Sequence, residues 1–355
     1  MTVLEEKKLL PRGFWTGAGP YNDIVLSSRV RFARNIRSVP FPNRFDESEA
    51  QIVKALGEKF IRDSLFQQSV LMDLSGMDKH RKRLLRERNI ITMEMELAEN
   101  SAVIINEKDD FSIMLNEEDH IRIQVIRPGL QIREAYEMAD RIDDELNRFV
   151  PYAHSPEYGY LTACPSNLGT GMKVSVLLHL PVLTMKKNLS LLTGQLQNPG
   201  VVIAGTAGEG IRTYGAIYQL SNRVSLGISE VDIIEIMDGV ISRIIDLEDS
   251  ARDEYVSQSR LELEDRIWRS FGILQYSKRI SYAEAIEHLS NVRLGIILAI
   301  VKNVDIVQIN SLMVTIQWAH LQEMFKRTFN STLESDEARS NYLRMNFSAM
   351  ECGNV

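Results

Sequence analysis

The sequence contains little cysteine and no long apolar run. Two of its 355 residues are cysteines, Cys164 and Cys352, which excludes a disulfide framework or a cysteine-rich metal site within one chain. The longest apolar runs, at residues 174–185 and 294–301, are too short or too interrupted to span a bilayer. Residues 1–10 lack the pattern of a signal peptide. We therefore expect a cytoplasmic protein without a membrane partner.

An excess of positive charge is also absent. The formal net charge is −7, which argues against a general nucleic-acid binder, because such proteins neutralise phosphates with basic side chains. A local arginine cluster is still compatible with phosphate binding. With 44% hydrophobic and 25% charged residues, the chain has an ordinary globular composition and is long enough for two domains.

Periodic patterns predict an α+β fold. Residues 46–65 and 130–150 have helical periodicity. Short runs typical of strands are residues 90–97, 102–106, 111–115, 121–126, 158–163 and 173–179. Several of these runs follow one another without a helix between them. This order favours an antiparallel sheet flanked by helices over a doubly wound parallel sheet.

The composition changes near residue 247. A charged stretch without apolar bulk begins there, and most later segments have helical patterns, most clearly residues 281–301, 310–328 and 335–345. We therefore predict a first domain over residues 1–252 and an all-helical domain over residues 253–355.

The segment Asn-Glu-Glu-Asp-His-Ile-Arg at residues 116–122 places acidic and basic side chains close together. Apolar residues on both sides fall at even spacing, so a continuous strand would send Glu118, His120 and Arg122 to one face. A carboxylate and a guanidinium fixed in this way suit a cationic and an anionic substrate side by side. The alternative is a solvated strand face with an ordinary ion pair.

Three other segments carry candidate chemistry. Arg29 and Arg31 share one face of an extended run and suit a polyphosphate, although a surface basic patch has the same pattern. Residues 164–171 form a turn that presents Cys164 and backbone N–H groups, but a lone cysteine is more often a small buried hydrophobe. Residues 205–210 place Glu209 in a glycine-rich loop, where the alternative is an exposed turn.

Taken in order, these motifs resemble the guanidino (phosphagen) kinase family. They are Ser-Ser-Arg-Val-Arg at 27–31, Asn-Glu-Glu-Asp-His-Ile-Arg at 116–122, the cysteine motif at 159–171 and Gly-Glu-Gly at 208–210. The resemblance covers about residues 20–235. The chain is most similar to the bacterial protein-arginine kinase (McsB) branch, because its first arginine pair comes early and its extra length is C-terminal and helical.

The resemblance implies a glutamine-synthetase-like catalytic domain that transfers a phosphoryl group from Mg-ATP to arginine side chains in proteins, marking them in stress response or proteolysis. It implies Glu118 as general base, Glu209 as a second clamp and Cys164 beside the substrate guanidinium. The residues implied in nucleotide binding are Ser28, Arg29, Arg31, Arg122 and Lys173. Glu117 and Asp119 are expected on the opposite strand face, where they order the metal's waters or are only solvated.

Two positions depart from the family pattern. Lys173 stands where the family usually has an arginine, and Ala204 stands where it usually has a phosphate-binding arginine. These departures leave open a catalytically impaired or dead pseudokinase that acts as a regulatory or adaptor protein. A third alternative is a free-arginine phosphagen kinase. Near the C-terminus, the family's phosphoarginine-reading Arg-Asp pair aligns with Ser335-Asp336, and Arg339 or Arg344 are candidates for the missing arginine.

The implied partners follow from the same branch. They are protein substrates with exposed arginines, a McsA-like zinc-finger activator, a CtsR-like repressor and a ClpC/ClpP-type protease. A homodimer through the helical domain is also expected, and direct nucleic-acid binding is not.

Overall fold

The computed structural model describes residues 13–186, 200–206 and 212–350. Its helices are α1 (Glu47–Asp63), α2 (Lys79–Glu87), α3 (Met93–Leu97), α4 (Ile132–Asn147), α5 (Pro181–Met185), α6 (Glu230–Tyr276), α7 (Tyr282–Ile297), α8 (Ile306–Thr315), α9 (Trp318–Phe325) and α10 (Thr332–Ala349). Short 3₁₀ turns cover Phe14–Thr16 and Pro165–Asn167. In the described part of the chain, no helix combines the length and apolar character that crossing a membrane requires.

The strands form one large and one small sheet. They are β1 (Val25–Arg34), β2 (Val70–Asp73), β3 (Ala102–Ile105), β4 (Phe111–Leu115), β5 (Ile121–Pro128), β6 (His154–Ser155), β7 (Gly159–Tyr160), β8 (Met172–His179), β9 (Val201–Gly205) and β10 (Ile217–Asn222). The large sheet has the order β2-β3-β4-β5-β1-β8-β10-β9, and β6 pairs with β7. Every pairing between these described strands is antiparallel, which confirms the predicted fold class.

One face of the large sheet is apolar and covered by helices. In β5, Ile121, Ile123 and Val125 are fully buried, and they share a core with Val30 and Phe32 of β1. Helix α4 packs on β5 and β1, while α6 packs on β8 and β10. Each such buried side chain stabilises the fold by about 1.5–3 kcal/mol relative to exposure. The alternate residues of β1 and β5 therefore point to the opposite face, which carries the charged groups described below.

The prediction of a strand at residues 90–97 was wrong. Helix α3 begins in this segment because Thr92 acts as its N-cap, with its hydroxyl accepting from the Met95 N–H at 3.3 Å. A glutamate in the first helical turn, Glu94, adds favourable interaction with the helix dipole. The predicted strand at 158–163 is also mostly irregular, since only Gly159 and Tyr160 pair with another strand.

The prediction that residues 116–122 form a continuous strand face was wrong as well. Residues 116–120 form the turn that joins β4 to β5. Asn116 adopts a left-handed conformation with φ 60°, which asparagine tolerates, and its N–H bonds to the carbonyl of His120 at 3.0 Å. The even spacing of apolar residues persists across the turn, so it hides the interruption from a sequence pattern.

The predicted domain boundary near residue 252 lies inside helix α6. The backbone at Ser259 departs from helical geometry, with φ −140° and ψ 36°, and marks a kink. Before the kink, the buried carboxylate of Glu248 accepts the N–H groups of Val182 and Leu183, each at 3.0 Å. The charged stretch thus packs against the sheet domain. The predicted helix at 310–328 is divided into α8 and α9.

Replacing Arg34 with methionine will destabilise the fold. Arg34 is 1% exposed, donates to the Asp143 carboxylate at 2.7–3.1 Å and donates to the Thr170 carbonyl at 2.9 Å. Arg34→Met leaves the Asp143 charge buried and unpaired, which costs about 3–5 kcal/mol in the free energy of unfolding. Urea denaturation followed by circular dichroism measures this loss. As a control, Arg148→Met removes an ion pair from a side chain that is 69% exposed and will cost less than about 1 kcal/mol. Equal losses in the two variants would contradict the prediction.

Candidate active site

Four cationic side chains lie on the open face of the large sheet. Arg29 and Arg31 project from the central strand β1, and Lys173 of β8 lies directly opposite Arg31. On the other side, Arg122 of β5 lies opposite Ala33, and Ala33 is on the same face of β1 as Arg29 and Arg31 because strand side chains alternate. Directly paired residues in antiparallel strands share a face. The register therefore brings the four cations together from three adjacent strands.

The two arginines of β1 differ in their partners. Arg29 donates from Nε to the Ser175 hydroxyl at 3.1 Å and from Nη2 to the Gln219 amide oxygen at 3.0 Å. Burial, with a smaller contribution from the Arg122 charge, lowers the pKa of Arg29 to about 10. Burial and the charges of Arg29 and Arg122 also lower the pKa of Arg31, whose Nε is buried without a partner among the described residues. An anionic ligand would relieve this repulsion.

The two positions that depart from the family pattern lie on or beside this face. Lys173 donates to the backbone carbonyl of Asn222, and burial together with the Arg31 charge lowers its pKa. Ala204 of β9 lies opposite Gln219, the residue that accepts from Arg29. The open face therefore has a methyl group at position 204 and a tethered ammonium at position 173.

A pocket of about 520 Å³ adjoins the cations. It is lined by Arg31, Thr92, Glu94, Ala98, Glu117, Glu118 and Arg122. The Glu118 side chain is 43% exposed, and its carboxylate lies 3.8 Å from Nη2 of Arg122. Burial raises the pKa of Glu118, and the nearby carboxylates raise it further against the opposing effect of Arg122. An accessible carboxylate with a raised pKa beside a cluster of cations is suited to accept a proton.

Glu117 and Asp119, which flank Glu118, are both buried. Of the two roles considered for them, the one in which they are only solvated was therefore wrong. Glu117 accepts from the Thr92 hydroxyl at 2.8 Å and from the Glu118 N–H at 2.8 Å, and it also pairs with Arg122. It thereby orients the guanidinium of Arg122. Asp119 faces the protein interior and accepts from the backbone N–H of Ala163 at 2.7 Å.

Cys164 opens the loop at residues 164–171, which we call the cysteine loop. Its Sγ is half-buried and lies 3.0 Å from the Ser166 hydroxyl. The loop is held by Ser225, whose hydroxyl donates to the carbonyls of Ser166 and Leu168 at 3.0 and 2.8 Å. Gly169 has φ 105°, and an added Cβ would lie 2.2 Å from the Ser225 carbonyl oxygen, so only glycine fits this approach.

Two residues expected on this face, Ser28 and His120, are not part of this arrangement. The Ser28 side chain lies on the covered face, where its hydroxyl donates to the Gly129 carbonyl at 2.8 Å and accepts from the Gln131 N–H at 3.0 Å. His120 points inward and its ring contacts Pro40 O and Ile36 N. Glu209 lies outside the described residues.

Sequence reasoning missed Thr92 and Gln219. The incorrect strand at 90–97 concealed Thr92, although a threonine followed by acidic residues within the next turn is a helix-start signal. Gln219 is a polar residue inside the alternating strand Ile217–Asn222. That alternation was the available signal for a side chain on the open face.

The candidate phosphoarginine-reading arginines near the C-terminus already have protein partners. Arg339 is 3% exposed, donates to the carbonyls of Ile316 and Ile280 at 3.0 Å and pairs with Asp336 at 2.6 Å. Arg344 bonds to the Asn341 side chain. Arg339 therefore acts as a structural link between helices in this conformation.

The fold and the site together define a phosphoryl-transfer enzyme. Clustered arginines suit the phosphates of a nucleotide, and the exposed carboxylate beside them suits a cationic acceptor. No group of three or more histidine, cysteine, aspartate or glutamate side chains in the described residues could hold a metal ion. A metal bound mainly through substrate phosphates, as Mg²⁺ commonly is, needs no such group.

Comparison with known proteins gives the family. The model of the ATP:guanido phosphotransferase C-terminal catalytic domain matches residues 47–251, and the model of the protein-arginine kinase McsB C-terminal domain matches residues 260–354. The chain belongs to the ATP:guanido phosphotransferase family, which confirms the resemblance seen in its motifs. The proteins named protein-arginine kinase from Brevibacillus brevis and Halothermothrix orenii are 40% and 38% identical to it, covering 94% and 92% of this chain and 95% and 94% of theirs. The one from a Geobacillus species is 43% identical and covers 86% of this chain and 85% of its own length.

Solved structures agree on the fold. Lombricine kinase matches with a TM-score of 0.58 and 24% identity over 71% of each chain. The duplicated taurocyamine kinase from Schistosoma mansoni matches with a TM-score of 0.59 and 21% identity over 78% of this chain and 44% of its own.

Proposed function

We propose that the protein is a protein-arginine kinase, which transfers the γ-phosphate of ATP to arginine side chains of other proteins. The observation that carries this proposal is the pocket in which the accessible carboxylate of Glu118 lies beside Arg31 and Arg122. The name shared by the curated relatives supports arginine as the acceptor.

The acceptor chemistry explains why a carboxylate is needed. A guanidinium has a pKa above about 12 and a delocalised lone pair, so it is a poor nucleophile unless it is held and loses a proton. We assign this task to Glu118, with Glu209 as a second clamp and Cys164 as a neighbouring polar contact. The acceptor nitrogen forms a bond to the γ-phosphorus, the bond from that phosphorus to the β,γ-bridging oxygen breaks, ADP leaves with the electron pair, and Glu118 takes the guanidinium proton.

The cations of the open face bind the nucleotide in this proposal. Arg31 has an unused buried donor, and Glu117 orients Arg122. Arg29 and Lys173 complete the cationic surface, whereas Ser28 is not included. Mg²⁺ accompanies ATP as part of the nucleotide substrate and neutralises phosphate charge. The protein's own contribution is therefore positioning and a fixed electrostatic field.

The raised pKa of Glu118 predicts an unusual acid limb in the pH–rate profile. Only the carboxylate form accepts a proton, and a raised pKa means that this form is lost at a higher pH as the solution is acidified. At saturating Mg-ATP, kcat/KM for the acceptor will therefore fall at a pH above the ordinary glutamate pKa of about 4.3. The exposed Glu107 serves as the control, since Glu107→Gln will leave the profile unchanged. An acid limb at or below the ordinary glutamate pKa would contradict the assignment of Glu118 as the base.

The direct test is an assay for phosphoarginine. Purified protein is incubated with Mg-ATP and an arginine-rich protein, or with free arginine, in the presence and absence of a zinc-finger activator protein. We expect acid-labile phosphoarginine in the protein substrate. Preferential phosphorylation of free arginine would favour a phosphagen kinase instead. Absence of product from a well-folded protein under all conditions would exclude both kinases.

A second candidate function is a catalytically dead regulator that retains the fold. Two positions on the open face favour it. Position 204 is an alanine and supplies no cation, and the ammonium of Lys173 donates to the backbone carbonyl of Asn222. Such a protein would bind nucleotide without transferring phosphate. Calorimetric ATP binding combined with no product in the assay above would identify it.

Several wider roles remain predictions. They are the marking of proteins in stress response or proteolysis, a McsA-like activator, a CtsR-like repressor, a ClpC/ClpP-type protease, a homodimer through the C-terminal helices and a cytoplasmic location. Sedimentation of the full chain tests the dimer, and affinity capture with each purified partner tests the contacts.

A further inference from the structure

The three consecutive carboxylates of the β4–β5 turn have three different surroundings. Glu118 is open to the pocket, and Glu117 is engaged with Arg122 and Thr92. Asp119 is fully buried and does not line the pocket. Burying a carboxylate costs free energy, because the group gives up its hydration, unless hydrogen bonds or a paired charge replace the lost water. The partners of Asp119 therefore indicate what it does.

Asp119 joins the turn to the segment that leads into the cysteine loop. Its Oδ1 accepts from the Ala163 N–H at 2.7 Å and from the Asn35 side-chain amide at 2.6 Å. Ala163 immediately precedes Cys164, and Asp119 immediately follows Glu118. The hydrogen bond between Ala163 and Asp119 thus joins the residue next to Cys164 to the residue next to Glu118.

Asn35 completes the connection from the end of β1. Its amide donates to the Leu161 carbonyl at 3.0 Å as well as to Asp119, and its oxygen accepts from the His120 N–H at 2.9 Å. Its backbone carbonyl accepts from the Ala153 N–H at 2.7 Å. The turn, the strand end and the cysteine segment are therefore bonded to one another through two buried side chains.

We infer that Asp119 is a positioning residue, which fixes the cysteine loop relative to the turn that carries Glu118. This inference rests on the proposed function for its consequence in catalysis, but not for its geometry. A displacement of about 1 Å between reacting groups can cost on the order of a hundredfold in rate. The hydrogen bonds of Asp119 are thus sufficient to control turnover without contact with a substrate.

The replacements Asp119→Ala and Asp119→Asn separate positioning from charge. Asparagine keeps an oxygen at the Oδ1 position, and its amide nitrogen replaces Oδ2, which is buried without a partner among the described residues. We expect Asp119→Ala to lower kcat by about tenfold to a hundredfold with little change in KM for ATP, and Asp119→Asn to restore most of the loss. If Asp119→Ala does not fold, Asp119→Ser takes its place, because the hydroxyl is too short to bridge both donors.

A second measurement does not require kinase activity. In a Cys352→Ser background, Cys164 is the remaining cysteine, and its rate of alkylation by iodoacetamide reports the setting of the loop. We expect this rate to change severalfold in Asp119→Ala and to return in Asp119→Asn. If wild-type protein makes no phosphoarginine, the proposed function fails, while this measurement still tests the position of the loop.

A matched control is available at the other end of the same hairpin. Asp110 is also buried and hydrogen-bonded, to Arg127 at 2.7 Å and Asn106 at 2.5 Å, but it has no bond to the cysteine segment. Asp110→Ala will lower stability and leave the Cys164 alkylation rate unchanged. The inference is overturned if Asp119→Ala leaves both kcat and alkylation unchanged, if Asp119→Asn is as damaging as Asp119→Ala, or if Asp110→Ala reproduces the effect.

Discussion

Replacing Glu118 with glutamine will reduce kcat for arginine phosphorylation by about a hundredfold to ten-thousandfold, the usual contribution of a general base. Glutamine keeps the size of the side chain and can still hydrogen-bond to a guanidinium, but it cannot accept the proton. Nucleotide binding will be retained, because the cations of the open face are unchanged. Single-turnover formation of phosphoarginine and calorimetric ATP binding measure the two effects separately.

The control for this variant is Glu107→Gln, which changes an exposed glutamate in the β3–β4 connection. It makes the same chemical change with no expected loss of rate. A Glu118→Gln protein that retains wild-type kcat would remove Glu118 from the role of base. In that case the second proposed clamp, Glu209, becomes the candidate.

Introducing arginine at position 204 will accelerate phosphoryl transfer. Ala204 lies on the open face opposite Gln219, whose side chain contacts Arg29, so a guanidinium there extends the cationic surface along the sheet. An arginine that stabilises transition-state charge can contribute about a thousandfold or more, and we expect Ala204→Arg combined with Lys173→Arg to raise kcat by at least about tenfold. Steady-state kinetics with saturating Mg-ATP measure the change.

A charge control separates this local effect from net charge. Leu261→Arg adds the same charge at a side chain of α6 that is 81% exposed, and it will not change kcat. If the wild-type protein is already fast and the double variant is no faster, the prediction is wrong and the dead-regulator alternative is excluded with it. A gain from no activity to measurable activity would instead identify the wild-type protein as an impaired enzyme.

The spacing of apolar residues predicted the strands and helices that bury one side. Alternation in β5 and the helical period of α4 correctly indicated elements and their buried faces, because one buried side suffices to set the period. The segment at 90–97 failed because two consecutive buried isoleucines, Ile90 and Ile91, resemble a strand, whereas the Thr92 cap begins a helix. The β4–β5 turn failed because the apolar spacing continues on both sides of it.

For the candidate site, the sequence indicated individual charged residues but not the contacts between them. The common face of Arg29 and Arg31 follows from strand alternation alone. That Lys173 lies opposite Arg31 depends on the pairing of β1 with β8, which are separated by more than a hundred residues. Likewise, the inward orientation of Glu117 and Asp119 depends on the turn, and no alternating pattern contains that information.

Helix α6 links the two parts of the molecule, so truncation or cleavage within it will disturb both. Its 47 residues follow a path of about 70 Å at 1.5 Å per residue, with Ile241 buried before the kink at Ser259 and Ile267 buried after it. A polypeptide shortened at residue 252 would end inside the helix and uncover part of the core that the remaining helices share. We therefore expect protease cleavage near Ser259 to give two fragments that stay associated or aggregate, and not two independently folded halves.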